Sequence, residues 1–208
     1  MRKHVLVTLL AASITASLLS ACAPLIVGGA LVGGSLVATD RRTSGTQIED
    51  QGIEMKAGSK ARDVTKNQAH ININGYNRQV LLTGEVGTQE EKQAVELAVA
   101  KIENVRRVFN ELAVMPNSSI GSRSNDALLH SKIKASLVDT KDLISNAFYV
   151  VVERGEVFLA GRVTQREADR ATEIARGVSG VKKVVRIFEI VSEDALADYL
   201  PATGSGQK

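Results

Sequence analysis

Tryptophan is absent and aromatic residues make up only 3% of this 208-residue chain, which leaves no stacking platform for single-stranded nucleic acid. Cysteine occurs once, as Cys22, so no disulfide can close within the molecule. Histidine is scarce too. His4, His70 and His130 stand apart from any Cys/His/Asp spacing suited to metal ligation, and no metal site is expected. The chain has no G-x-G-x-x-G or Walker pattern for phosphate binding and no G-x-S-x-G nucleophile elbow. Carboxylate pairs such as Glu90-Glu91 fall in first helical turns, where capping and the helix dipole account for them. No catalytic residue, no cofactor and no enzymatic activity are expected.

What the chain does have begins at its N-terminus. Met1-Arg2-Lys3-His4 is basic, Val5 to Leu19 is apolar with interspersed Ser and Thr, and small residues precede Cys22. That order reads as a secretory signal over residues 1–21. Leu19-Ser20-Ala21-Cys22 resembles the lipobox of bacterial lipoproteins, which implies lipidation of Cys22, removal of residues 1–21 and acylation of the new amino group. As a spanning helix the run is short, and the next apolar stretch, 24–38, is broken by Gly28-Gly29 and Gly33-Gly34. Three acyl chains form a lasting anchor, since each buried methylene contributes about 0.8 kcal/mol. Ala23, rather than Asp, follows the cysteine; in the sorting rule of such lipoproteins this implies the outer membrane, on its periplasm-facing leaflet. Loss of Arg2 and Lys3 shrinks the excess of 26 Lys+Arg over 23 Asp+Glu, so the pI of about 9.0 overstates the working charge. A nucleic-acid partner thereby loses its main support.

The rest of the chain is an internal repeat. Val80-Leu81-Leu82-Thr83-Gly84-Glu85-Val86 matches Val157-Phe158-Leu159-Ala160-Gly161-Arg162-Val163, and Ile102 to Val108 matches Val178 to Val184. In each copy an S/T-x-x-E capping box, Thr88 with Glu91 and Thr164 with Glu167, starts a helix. Behind it, Val95, Ala98, Val99 and Ile102, and Ala171, Ile174, Ala175 and Val178, recur at helical spacing. Upstream lie hairpins: Ile71 and Ile73 alternate with Asn72 and Asn74, then Val80 to Leu82; Phe148 to Val152, then Val157 to Leu159. Third strands are expected over 105–114 and 181–191, and opening helices over 53–64 and 125–138. Gly84 and Gly161 mark a strand-end kink or positive φ. The fold class is α+β, two tandem two-layer αββαβ modules, each a three-stranded mixed sheet packed on two helices. The expected organisation is an acylated N-terminus and flexible linker over 22–47, a first module over 48–116, a linker over 117–123, a second module over 124–192, and a disordered tail over 193–208 with a helical turn across 195–200.

Val-x-Leu-x-Gly-x-Val, a capped helix and a Val-[Arg/Lys]-[Arg/Lys]-Val strand start resemble the BON (bacterial OsmY and nodulation) domain. A lipobox ahead of two copies resembles the dual BON-domain outer-membrane lipoprotein family (DolP/YraP-like). The resemblance implies a non-enzymatic role in outer-membrane integrity, with anionic phospholipids as partners and the outer-membrane protein assembly machinery nearby. It also implies a lipid contact on the first helix of the second module, where Leu128, Leu129, Lys132 and Lys134 are the candidate phospholipid-binding residues. Leu129, Ile133 and Leu137 form a single stripe that a core would equally claim. The first module's opening helix carries Gly58 and few large apolar residues, so the two copies are expected to differ in role. Arg106-Arg107 and Lys182-Lys183 with Arg186 read as solvated strand starts. Leu200-Pro201-Ala202-Thr203-Gly204 matches the sortase pentapeptide, but only Ser205-Gly206-Gln207-Lys208 follow it. The competing function is a tethered protein-interaction scaffold or holdase-like stress protein.

Overall fold

The computed structural model describes residues 40–197; Cys22, the segment before it and the sortase-like pentapeptide lie outside the described residues. Thr43 accepts a hydrogen bond from the Thr46 amide and starts α1 (Ser44–Thr65), which ends where Lys66 and Asn67 take positive φ. Strands β1 (His70–Tyr76) and β2 (Gln79–Val86) form an antiparallel hairpin. Then come α2 (Gln89–Ala100) and a third strand in two pieces, β3 (Arg107–Asn110) and β4 (Ala113–Val114), both parallel to β2. The second module repeats the order: α3 (Ile120–Val138), β5 (Tyr149–Glu153), β6 (Glu156–Val163), α4 (Gln165–Gly177) and β7 (Lys183–Ile190), with β7 parallel to β6 along its whole length. A 3₁₀ turn over Ser145–Ala147 precedes β5.

The expected αββαβ order and mixed sheets are present in both copies, with informative differences. The opening helices are longer than expected. Ser119 caps α3 by accepting from the Ser122 amide, so part of the expected linker is helical; Gly121, Ser122 and Ser124 are weak helix formers and mask this in the sequence. The remainder of that linker is pinned to the first module, with the Ser118 amide donating to Glu85 and Asn117 bonded to Gln68 and His70. Residues 193–197, expected in the tail, form a short helix, α5, that buries Leu196. At α4 the full capping box forms; at α2 the Glu91 carboxylate accepts from the Gly87 amide instead. The extra residue Gly87 displaces the donor by one position.

Each hairpin turn is fastened to its opening helix in the same way. The Asp50 carboxylate accepts from the Asn77 and Arg78 amides at 2.8 and 2.7 Å, and Asp126 accepts from the Arg154 and Gly155 amides, both at 2.8 Å. These turn residues have positive φ, as a two-residue type I′ hairpin requires. Gly84 and Gly161 also have positive φ, and a β-carbon there would lie 2.1 Å from the His70 carbonyl oxygen or 2.3 Å from that of Ala147. Close approach of a neighbouring backbone therefore demands glycine at both places.

Strand alternation sorts the core into three parts. Val80, Leu82 and Val86 meet Ile53, Ala57, Val95 and Val99; Val157, Leu159 and Val163 meet Leu129, Ile133, Ala171 and Ala175. The opposite strand faces, carrying Tyr76, Leu81, Phe109, Tyr149, Phe158 and Ile187, pack on each other. The two sheets thus lie face to face with a pair of helices on each outer side, giving four layers.

Candidate functional site

The outer face of α3 is the feature that a solvated helix does not explain. Asp126, Leu129, Ile133 and Leu137 point inward. Opposite them, Ile120, Ser124, Ala127, Leu128, Ser131, Ala135 and Val138 are all exposed and occupy one continuous arc of the helix. None is charged. Ile120 is 83% exposed, and Leu128 and Val138 are each 62% exposed. The outward side of α4 is the contrast, carrying Arg166, Asp169, Arg170, Glu173 and Arg176. The serines of the α3 arc are satisfied within the helix: Ser124 donates to the Ile120 carbonyl at 2.9 Å and Ser131 to that of Ala127 at 3.0 Å. Removing this face from water therefore strands no hydroxyl donor.

Of the four residues named from sequence, the fold brings Leu128 and Lys132 to one edge of this face. They line a groove of about 370 Å³ together with Asn125, Gly155, Gly180 and Lys182. Lys132 is exposed, and its ammonium makes no ion pair or hydrogen bond among the described residues. Leu129 is 7% exposed and belongs to the core. Lys134 lies beyond the other edge of the arc, half-buried, with its ammonium 3.5 and 3.4 Å from the Ser145 and Phe148 carbonyls, and burial lowers its pKa. The exposed arc escaped the sequence reading because it mixes Ser and Ala with only three large apolar residues.

Sequence reasoning also missed a polar cluster at the seam between the sheets. The Glu85 carboxylate is fully buried and meets His70 at 2.9 Å, Arg154 at 3.3 Å and the Ser118 amide. Burial pushes its pKa up, but these donors outweigh burial and hold it below the usual carboxylate range. Glu153, also buried, accepts from Asn72 at 2.7 Å. His70, Glu85 and Glu153 bring ligand atoms within 4.8 Å of one another. Those atoms are engaged by protein donors, and Arg154 occupies the place where a cation would approach Glu85. The arrangement functions as an ion-paired joint between modules. The only forewarning was that Asn72, Asn74, Thr83 and Glu85 lie on one side of their strands.

A strap closes the same seam. Arg41 pairs with Glu167 through both guanidinium nitrogens, each at 2.8 Å, and also donates to the Arg162 carbonyl. Glu167 is held below its usual range because Arg41 and the Thr164 amide outweigh its burial. Arg42 turns to the first module, pairing with Asp40 and Asp50 and stacking 4.3 Å over the Tyr76 ring. The Tyr76 hydroxyl accepts from the Arg162 amide at 3.1 Å; burial pushes the Tyr76 phenol up to about 12.

Comparison with known proteins agrees with the repeat. The BON domain family matches residues 49–116 and 125–191. The chain is 37% identical over 173 residues to the outer membrane lipoprotein DolP of Haemophilus influenzae, covering 82% of this chain and 89% of that protein. It is 33% identical over 154 residues to a 21 kDa hemolysin of Actinobacillus pleuropneumoniae, covering 73% and 79%. Osmotically-inducible protein Y of Escherichia coli is 29% identical over 156 residues, covering 73% and 77%.

Proposed function

Since the chain belongs to the BON-domain family, as a two-domain member akin to an outer membrane lipoprotein, we propose that it binds anionic phospholipid through α3 and supports outer-membrane integrity without catalysing a reaction. Held by acylated Cys22 on the periplasm-facing leaflet, it uses the anchor for location and α3 for recognition. Among the described residues no helix is long and apolar enough to cross a membrane, so on this reading α3 lies in the interface rather than through it.

The uncharged outward arc of α3 carries the reading. Seating Ile120, Leu128 and Val138 among headgroups and upper acyl chains gains about 1.5–3 kcal/mol for each side chain taken fully out of water. Each cation at an anionic surface adds about 1 kcal/mol, and Lys132 and Lys182 border the arc on one side. With no tryptophan in the chain, the aliphatic side chains supply the insertion.

Co-sedimentation of a Cys22-lacking form with vesicles tests this. Recovery is expected to be greater with phosphatidylglycerol than with phosphatidylcholine, and to fall at least tenfold for Leu128→Glu with Lys132→Glu at an unchanged melting temperature. Equal recovery with both lipids, or no loss in the double variant, overturns lipid binding through α3 and favours the tethered-scaffold reading.

A further inference from the structure

Face-to-face packing of the sheets puts the two helical layers on opposite outer sides, and the repeat supplies a comparison within one molecule. Each module has a groove beside its opening helix and the turn that follows its capped helix. In the first module this groove, about 510 Å³, is lined by Lys56, Lys60, Ala98, Lys101, Ile102 and Glu103. Lys56 follows the buried Ile53 at the same interval as Lys132 follows the buried Leu129, so the two lysines hold one position of the repeat. Lys60 lies one turn beyond Lys56, and Lys101 is the C-cap of α2. All three are exposed, and none of their ammonium groups has an ion pair or hydrogen bond among the described residues. Three cations thus converge on a groove holding one carboxylate, Glu103, over a floor of Ala98 and Ile102. The outward side of α1 beside it exposes Ile48 and Met55, at 70% and 72%, among Ser44, Gln51 and Ser59, and ends in the charged Arg62 and Asp63. The three cations of the groove suit phosphate groups at a surface.

We propose that this groove is a second contact for an anionic phospholipid surface, and that one molecule thereby bridges two bilayers. The proposal rests on the lipid-binding reading of α3. Opposite placement is what makes it a bridge: a flat bilayer in contact with α3 cannot also reach the groove between α1 and α2, which therefore faces a second surface.

The full chain, incorporated through its own anchor into phosphatidylglycerol vesicles, is tested for capture of a second, fluorescent phosphatidylglycerol population. Capture by the unaltered chain is expected, weakening between about 0.1 and 1 M salt as the Debye length falls from about 10 to 3 Å. Lys56→Glu, Lys60→Glu and Lys101→Glu together are expected to lower capture by well over 100-fold, since loss of the three cations alone, each worth roughly a factor of five, accounts for about 100-fold. The corresponding change of all three to Gln lowers it less and guards against a general effect of charge reversal. Both variants should keep the unaltered melting temperature and, with Cys22→Ser, the α3-dependent binding to a single vesicle population. Capture that survives the triple reversal, that depends only on Leu128 and Lys132, or that is absent in a chain that still binds single vesicles overturns bridging and leaves the α3 reading in place. Loss of all α3-dependent binding overturns both.

Discussion

Two buried glutamates do work that neither would do on a surface. Glu85 and Glu167 each face an arginine and at least one backbone amide, and in both these partners outweigh burial to depress the pKa. A carboxylate whose folded value lies below the ordinary 4.5 binds fewer protons folded than unfolded. Its contribution is complete above pH 4.5 and disappears as pH falls through the folded value. The melting temperature is expected to begin to fall below pH 6.5, where burial disfavours protonation of His130 in the folded state, and to drop further below 4.5 as these carboxylates protonate. Glu85→Gln and Glu167→Gln should each lower it at pH 7 and flatten the acid limb; acid limbs parallel to that of the unaltered protein would refute the assignment. Sequence showed Glu167 as a cap residue, and the structure agrees. It gave no sign that the same carboxylate receives Arg41, because that pairing joins residues far apart in the chain.

At the level of elements, the repeat made most of the fold readable. Caps at Thr88 and Thr164, strand alternation and glycines at equivalent places act over a few residues, and local chemistry decides them. The Asp50 and Asp126 clamps show what local reading overlooks: an aspartate in a helix is unremarkable until the hairpin turn folds back onto it. Asp126→Ala removes two charge-assisted hydrogen bonds and leaves buried amides unpaired, so a loss of about 3 kcal/mol is expected in urea unfolding at pH 7. Asp50→Ala should cost at least as much, because Asp50 also pairs with Arg42. A loss under about 1 kcal/mol in either would mean the turns hold themselves. The α3 arc was only partly readable: Leu128 and Lys132 were identified, whereas the absence of charge along the whole outward side becomes visible only once the inward side is fixed.

Taken whole, the molecule is two modules joined by their sheets, and this contact sets which surfaces remain to meet partners. Phe158, 1% exposed, sits in the apolar centre of the seam; Glu85, Glu153, Arg154 and the strap surround it. Phe158→Asp buries an unpaired charge there and is expected to part the modules, so that calorimetry shows two transitions in place of one. Arg41→Ala leaves Glu167 buried without its guanidinium and should lower the transition without splitting it. A single unshifted transition in Phe158→Asp would show that the seam contributes little.

By itself the sequence determined the modules: periodicity, caps and turns arise from contacts between near neighbours, and duplication exposed each of them twice. Tertiary structure alone decided how the modules meet. The seam uses Asn72, Asn74, Thr83, Glu85 and Glu153, residues whose polarity marks a strand face as solvated unless a second sheet supplies their hydrogen bonds. That pairing is long-range, so it is absent from any local pattern. It also places the α3 face and the lysine groove on opposite sides of the molecule.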